Sequence, residues 1–175
     1  LLRNAFVHGL ERRDLPLYAP RGVWSLLETL VGSRGITPAF LPKVVGDGSI
    51  ARIGGLRFAF SRTDHPVETL AVGVDDEAGG TGSVAYSSDT GPGWSLARLG
   101  TGIDVAVVEA TFLHAEVGDS SGVHRTARFT GDDSRAAGVG RLVVTHVPPN
   151  ADGEAHRAEA EAAFGGPTSL ATPHE

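Results

Sequence analysis

Apolar and polar residues recur along the chain with two different periods, and the change from one to the other divides it. Leu1, Leu2, Ala5 and Phe6 fall at helical spacing before the charged stretch Glu11-Arg12-Arg13-Asp14, which predicts the tail of an amphipathic helix whose beginning is absent. Between Pro16 and Pro20 only a short extended piece fits. Val23, Leu26, Leu27, Leu30 and Val31 then form an apolar helical stripe that Gly32 ends. From Ser49 to Phe60 the period is two, with Gly54-Gly55 as punctuation and Leu56, Phe58 and Phe60 on one face, the pattern of a hairpin. Leu70 to Val74 and Ser83 to Tyr86 repeat it around the polar tip Asp75 to Gly82.

After Tyr86 helices and strands alternate. Ser95 to Leu99 reads as helical, Asp104 to Glu109 as a buried strand, Thr126 to Ala137 as a helix and Leu142 to Thr145 as a strand. The Ala- and Glu-rich stretch Asp152 to Phe164 predicts a final helix, followed by a strand near Ser169 to Ala171. Strands grouped early and alternating units late, with polar residues placed just after the strands, predict an α+β sandwich with its sites at strand ends. A chain of 175 residues supports one core, so a single domain over residues 1–175 with one active site is expected.

Composition narrows the chemistry. The net charge is −6, and the 14 arginines and Lys43 are scattered, so no footprint for a nucleic-acid backbone is visible and a small partner fits better. The absence of cysteine excludes disulfides, thiolate zinc sites and cysteine nucleophiles, which leaves His, Asp and Glu as metal ligands. No apolar run approaches the ~20 residues needed to span a bilayer, and no charged leader precedes an apolar stretch, so a soluble cytoplasmic protein is expected. There is no methionine, at position 1 or elsewhere, which suggests a chain that begins inside a longer one.

Four segments place a metal-binding or proton-transferring side chain directly after an apolar strand. They are Asp64-His65-Pro66, Tyr86-Ser87-Ser88-Asp89-Thr90, Val108-Glu109-Ala110 and Val144-Thr145-His146-Val147-Pro148-Pro149. A fifth candidate, His124, follows the glycine-rich loop Gly118 to Gly122. Side chains at strand ends sit on a rigid frame, so distant positions can meet at one ion. His65, Asp89 and His146 supply two imidazoles and a carboxylate, a set suited to zinc, manganese or iron. Each alone also fits a hydrogen-bonded or solvated side chain, and a strand-end Asp commonly caps the turn that follows. Glu109 sits inside the apolar run Val105 to Val108, where a carboxylate needs a partner. Orienting a catalytic His and pairing with an Arg both satisfy that need. His124 suits a proton donor, because imidazole titrates near neutral pH, and equally suits an exposed loop. His8, His114, His156 and His174 read as solvated.

With these segments in view, the chain resembles the ribonuclease Z-like branch of the metallo-β-lactamase superfamily, and within it the bacterial metal-dependent cyclic-nucleotide phosphodiesterases. That family shows, in succession, a His after a hairpin strand, a Tyr-Ser-Gly-Asp-Thr-like strand end, a Glu-Ala-Thr-Phe-like strand end, a loop His before a helix and a Thr-His-x-x-Pro strand end. Here these are His65, Tyr86 to Thr90, Glu109 to Phe112, His124 and Thr145 to Pro149. The resemblance implies a four-layer αββα sandwich lacking its N-terminal strands. It implies two divalent metal ions, one bound by His65, the other by His146, with Asp89 bridging both. It further implies that His124 protonates the leaving group and Glu109 supports it. The activity implied is hydrolysis of a small phosphodiester, such as a cyclic nucleotide, by a metal-bridged hydroxide, with no nucleic-acid or membrane partner and with a homodimer left open.

Three departures qualify the resemblance. The family's H-x-H-x-D-H motif, which carries most ligands, should lie just before Leu1 and is missing, so these 175 residues alone are expected to be inactive and to bind metal weakly. Ser88 replaces the glycine usual before the Asp, which predicts a shifted Asp89. Arg128 to Ser134 replaces a more Ala- and Leu-rich helix, which predicts a poorly packed or altered helix after His124. Two other functions compete. Transfer-RNA 3′ processing usually needs a long arm between His65 and Asp89, where only Asp75 to Gly82 could form one, so it ranks second. A non-catalytic remnant of the fold ranks third.

Overall fold

The structure, a computed structural model, describes residues 15–31, 40–78, 80, 82–117 and 122–172. The chain divides into two units, Leu1–Gly46 and Asp47–Glu175, each described by itself. In the first, Leu15–Ala19 (β1) pairs in parallel with Phe40–Val44 (β2), and Arg21–Val31 (α1) comes between them in sequence. Pro16 and Pro42 are tolerated because both strands are edges of a two-stranded sheet. The helix lies where the apolar stripe predicts it, but its buried face differs. Trp24 is buried with Ala19 and packs against Leu17, Leu27 and Phe40, whereas Val23, Leu26 and Leu30 are exposed. The predicted helix tail at Leu1 to Phe6, the charged turn after it and the Gly32 stop lie outside the described residues.

The second unit is built on one mixed sheet in the order β3-β4-β5-β6-β7-β8-β9. Its strands are Ile50–Ile53 (β3), Leu56–Arg62 (β4), Leu70–Asp76 (β5), Ser83–Tyr86 (β6), Val105–Glu109 (β7), Arg141–Thr145 (β8) and Thr168–Leu170 (β9). Strands β3 to β6 are antiparallel neighbours and β6 to β9 are parallel ones. Gly54 and Gly55, with φ of 58° and 84°, make the tight turn that registers Ile53 against Leu56. The helices are the short His114–Val117 (α2), Ala127–Ala136 (α3) and Gly153–Phe164 (α4). The α+β class is as expected, and no described helix is long and apolar enough to cross a membrane.

The core follows from strand alternation. Ala85, Ala106, Val108, Leu142 and Val144 share one face and are buried with Trp94, Leu96, Ala127, Ala160 and Phe164. Small residues on β5 to β7 let the 96–99 turn lie close, and a Cβ on Gly73 would already touch Leu99. The opposite face carries Phe58, Phe60, Val72, Val74, Val107 and Val143, all half-buried.

Helix α3 corrects the expectation of poor packing. Its polar residues are spent inward: Thr130 Oγ1 donates to the Glu109 carbonyl at 2.6 Å and Ser134 Oγ to the Thr130 carbonyl at 2.7 Å. Gly131 is the closest approach to α4, where a Cβ would fall on the Ala160 carbonyl oxygen and lie 2.9 Å from Phe164 N. Gly131→Ala should therefore destabilise the protein by about 1–3 kcal/mol despite alanine's better helix propensity. A urea midpoint equal to or above that of the wild type would show that α3 and α4 are not in close contact.

Candidate metal and proton-transfer site

Strand direction explains why distant residues meet. Strands β4 and β6 both run antiparallel to β5 and so point the same way, and β7 and β8 run parallel to β6. The carboxyl ends of these four strands share one sheet edge, and His65, Asp89, Glu109 and His146 sit at or just beyond them. The imidazole centroids of His65 and His124 are 5.5 Å apart, and those of His124 and His146 are 5.1 Å apart. Asp89 Oδ1 lies 3.7 Å from His146 Nε2. All five residues singled out from the sequence are thus brought to one place.

Glu109 is the hub. Its side chain is 1 % exposed, yet four donors face its two oxygens. Oε1 accepts from Thr90 N at 2.5 Å and His124 Nδ1 at 3.1 Å, and Oε2 from Thr111 Oγ1 at 2.8 Å and Arg125 N at 3.2 Å. Among the described residues no guanidinium pairs with Glu109, and its carboxylate contacts the His124 ring. Because the Thr111 proton goes to Glu109, the contact of 2.9 Å between Thr111 Oγ1 and His146 Nδ1 is a bond donated by the imidazole. One carboxylate therefore fixes His124 directly and His146 through Thr111, assigning both rings the Nδ1–H form with Nε2 left for a metal or a proton. His65 follows the same rule, with Nδ1 at 3.3 Å from the Val67 carbonyl.

The loop after β4 is tied to the loop after β6. Thr63 Oγ1 donates to the Asp89 carbonyl at 2.8 Å, Gly91 N to the Asp64 carbonyl at 2.7 Å and Gly93 N to Asp64 Oδ2 at 2.8 Å. These bonds hold His65 and Asp89 at fixed spacing. Gly91 sits where three loops cross, since a Cβ there would lie 2.6 Å from the Gly122 carbonyl and 2.7 Å from Asp64 Oδ2.

Among the described residues, two non-glycines adopt left-handed backbone, Ser88 at φ 52° and His146 at φ 58°, and both adjoin or belong to the site. Such conformations persist where the surroundings enforce them. Ser88 Oγ donates to the Leu70 carbonyl at 2.8 Å, which anchors the position that glycine usually fills in the resembling family. Ser88→Ala and Ser88→Gly both lose this bond, but only glycine relieves the left-handed strain. The Ser88→Gly protein should therefore be more stable than Ser88→Ala by about 1 kcal/mol in urea unfolding.

Arg125, Asp133, Asp64 and Thr111 were not singled out from the sequence. Arg125 is fully buried, and burial lowers its pKa, opposed by the charge of Asp133 at 2.8 Å. A solitary arginine after a loop His carries no sequence signal of this; only the N-cap Thr126 marks the start of α3 beside it. His156, read as solvated, is 1 % exposed instead, its Nδ1 at 2.7 Å from the Asp152 carbonyl one helical turn earlier. His8 and His174 lie outside the described residues.

The donor set fits a divalent ion. Asp89 and His146 are part-exposed and face each other, and the Nδ1 atoms of His65 and His146 are engaged within the protein. Among the described residues, the group whose ligand atoms all lie within 4.8 Å of one another is Glu109, His124 and His146, without His65 or Asp89. Glu109 already serves four donors, so its carboxylate is committed within the protein. Beside His146 a groove of about 470 Å³ is lined by Val147, Pro148, Pro149 and Leu170 among others.

No protein-family model matches the chain. An uncharacterised protein of Mycobacterium tuberculosis is 31% identical over 156 residues, covering 86% of this chain and 56% of that protein. The YhfI protein of Bacillus subtilis, described as a probable metallo-hydrolase, is 29% identical over 118 residues, which cover 67% of this chain and 47% of YhfI. The ribonuclease Z of Brevibacillus brevis is 37% identical over 73 residues, covering 41% and 23%. The crystal structure of YhfI, a metallo-β-lactamase-fold protein, matches 90% of this chain and 62% of its own with a TM-score of 0.75 and 23% identity. That of human tRNase Z, short form, matches 98% and 70% with a TM-score of 0.67 and 16% identity. The chain spans about half the length of the first two relatives, 56% and 47%.

Proposed function

Because this chain belongs to the ribonuclease Z-like branch of the metallo-β-lactamase superfamily, we propose that it is a metallo-hydrolase and that it cleaves a small phosphodiester, a cyclic nucleotide being the first candidate. The observation that carries this reading is the meeting of His65, Asp89 and His146 with a His124 held by buried Glu109. The same reading takes residues 1–175 as part of one such domain, supported by a structural match over 90% of the chain.

His65 and His146 would each hold a divalent ion through Nε2, with Asp89 between them; zinc, manganese and iron all suit these donors. When bound, such ions acidify water to supply a nucleophile at neutral pH and polarise the phosphoryl group. His124 does the rest of the proton work. With Nδ1–H anchored on Glu109, His124 is oriented so that Nε2 would deliver a proton to the departing oxygen. Proline and aliphatic side chains of the groove beside His146 give the non-reacting part of the substrate an apolar wall.

RNA processing stays second. The connection from Asp76 to Ser83 is too short for a gripping arm, and a net charge of −6 gives a phosphate backbone no attraction. The test is turnover of bis-para-nitrophenyl phosphate and cyclic AMP by the protein loaded in turn with zinc, manganese and iron. Turnover of either that stops with chelator is expected of a chain that carries the H-x-H-x-D-H motif ahead of these residues, while residues 1–175 alone are expected to turn over neither. Cleavage of a tRNA precursor with neither small ester touched would reverse the ranking.

A further inference from the structure

Arg125 is among the largest fully buried side chains of the described residues, and the chemistry above does not use it. Every polar group of its side chain is engaged. Nε donates to the Gly91 carbonyl at 3.3 Å, one terminal nitrogen donates to the Trp94 carbonyl, and the other to Asp133 Oδ2 at 2.8 Å. The guanidinium carbon lies 5.3 Å from the Trp94 ring centroid and 5.0 Å from that of Phe129. Asp133, on α3, also accepts from Ser95 Oγ at 2.6 Å and Leu96 N at 3.0 Å.

These partners belong to different parts of the site. Gly91 and Trp94 lie on the loop that begins with Asp89, and Gly91 is itself bonded to the Asp64-His65 loop. Arg125 N, next to His124, donates to Glu109, and Asp133 fixes α3. A desolvated, forked cation is suited to this, since its donors are rigidly spaced and two carbonyls plus a carboxylate need satisfying away from water.

We propose that Arg125, seated on Asp133, is a positioning residue that locks the metal-side loop to the segment bearing His124, setting the distance between the nucleophile and the proton donor. The proposal rests on the hydrolase reading for its catalytic part alone; the locking itself is a property of the fold. Lysine keeps the charge at this position but cannot span all three acceptors, so Arg125→Lys separates geometry from electrostatics. Asp133→Asn removes the anionic seat while keeping an acceptor, and serves if the lysine variant folds poorly.

The experiment compares wild type, Arg125→Lys and Asp133→Asn by residue-resolved amide hydrogen exchange and by steady-state kinetics of the metal-loaded protein. In the variants the amides of Thr90, Gly91 and Gly93 should lose protection by at least about tenfold while those of Ala106, Leu142 and Val144 change by less than about twofold. With bis-para-nitrophenyl phosphate, kcat should fall by about a hundredfold with KM nearly unchanged, the signature of misplacement and not of lost binding. A uniform rise in exchange across both sets, or unchanged exchange at the loop, would overturn the proposal. The kinetics are read on a chain that carries the H-x-H-x-D-H motif ahead of these residues; a wild type of that chain without turnover would sink the hydrolase reading and leave the exchange result to decide the locking.

Discussion

Glu109→Gln is expected to lower kcat for phosphodiester hydrolysis by about 10²–10⁴-fold, the usual range for loss of a positioned proton donor, with a smaller change in KM. The argument is one of counting. Four protein donors converge on the two carboxylate oxygens, and an amide offers one acceptor oxygen and one donating nitrogen in their place. If the amide oxygen takes the place of Oε2 and serves Thr111 and Arg125, its nitrogen faces Thr90 N–H and His124 Nδ1–H. His124 must then surrender its Nδ1 proton, so the ring becomes the neutral Nε2–H tautomer and loses the carboxylate that anchors it. If the amide is flipped, Thr111 loses its acceptor and His146 loses its tautomer lock. Neither orientation keeps both rings, and each donor left facing the amide nitrogen costs about 1–3 kcal/mol of stability. Measurement of kcat and of the urea midpoint on the same preparations checks both parts, and a kcat within a few-fold of wild type would remove Glu109 from the mechanism.

The dependence of two histidines on one carboxylate was half legible in the sequence. A glutamate at the end of the run Val105 to Val108 announces a buried charge that needs partners, because isolated burial is costly. Which partners could not be read. Thr90, Thr111, His124 and Arg125 reach Glu109 only because parallel β6 and β7 end side by side and the chain returns through the Phe112–Thr126 bridge. The helices α3 and α4 were placed to within a residue for a local reason: Thr126 and Asp152 cap their starts and Gly165, at φ 76°, closes α4. Residues whose role is local announce themselves, and those whose role is convergence do not.

The same contrast explains the misreadings. On α1 the leucines dominate the apolar stripe read from the sequence, yet the larger Trp24 takes the interior and leaves Leu26 and Leu30 outside. Strand β2 hides behind Pro42, which counts against a strand anywhere but at an edge. On α3 the polar residues Thr130, Asp133 and Ser134 lower helix propensity, and the tertiary bonds they make outweigh it. The departure at Ser88 was visible in sequence and has a local conformational reason, the left-handed backbone that turns the chain toward Asp89.

Saturating divalent metal should raise the melting temperature of the wild-type chain by about 5–10 °C and leave Asp89→Ala and His146→Ala unmoved. A ligand that binds only the folded state stabilises it by about 2.7 kcal/mol at a hundred times its Kd, whatever that Kd is. For a chain of this size each kcal/mol is worth about 2–4 °C. The shift therefore reports the presence of a site independently of turnover, and the two variants locate it. Asp89 and His146 are suitable probes because both are part-exposed, at 40% and 44% of their side chains, so truncation leaves no buried orphan and the unliganded stability should barely change. His124→Ala in the same assay should keep most of the shift, since its Nδ1 is spent on Glu109 and its Nε2 is reserved for the proton. A shift abolished equally by His124→Ala and kept by Asp89→Ala would place the ion among Glu109, His124 and His146 and exchange the roles of donor and ligand.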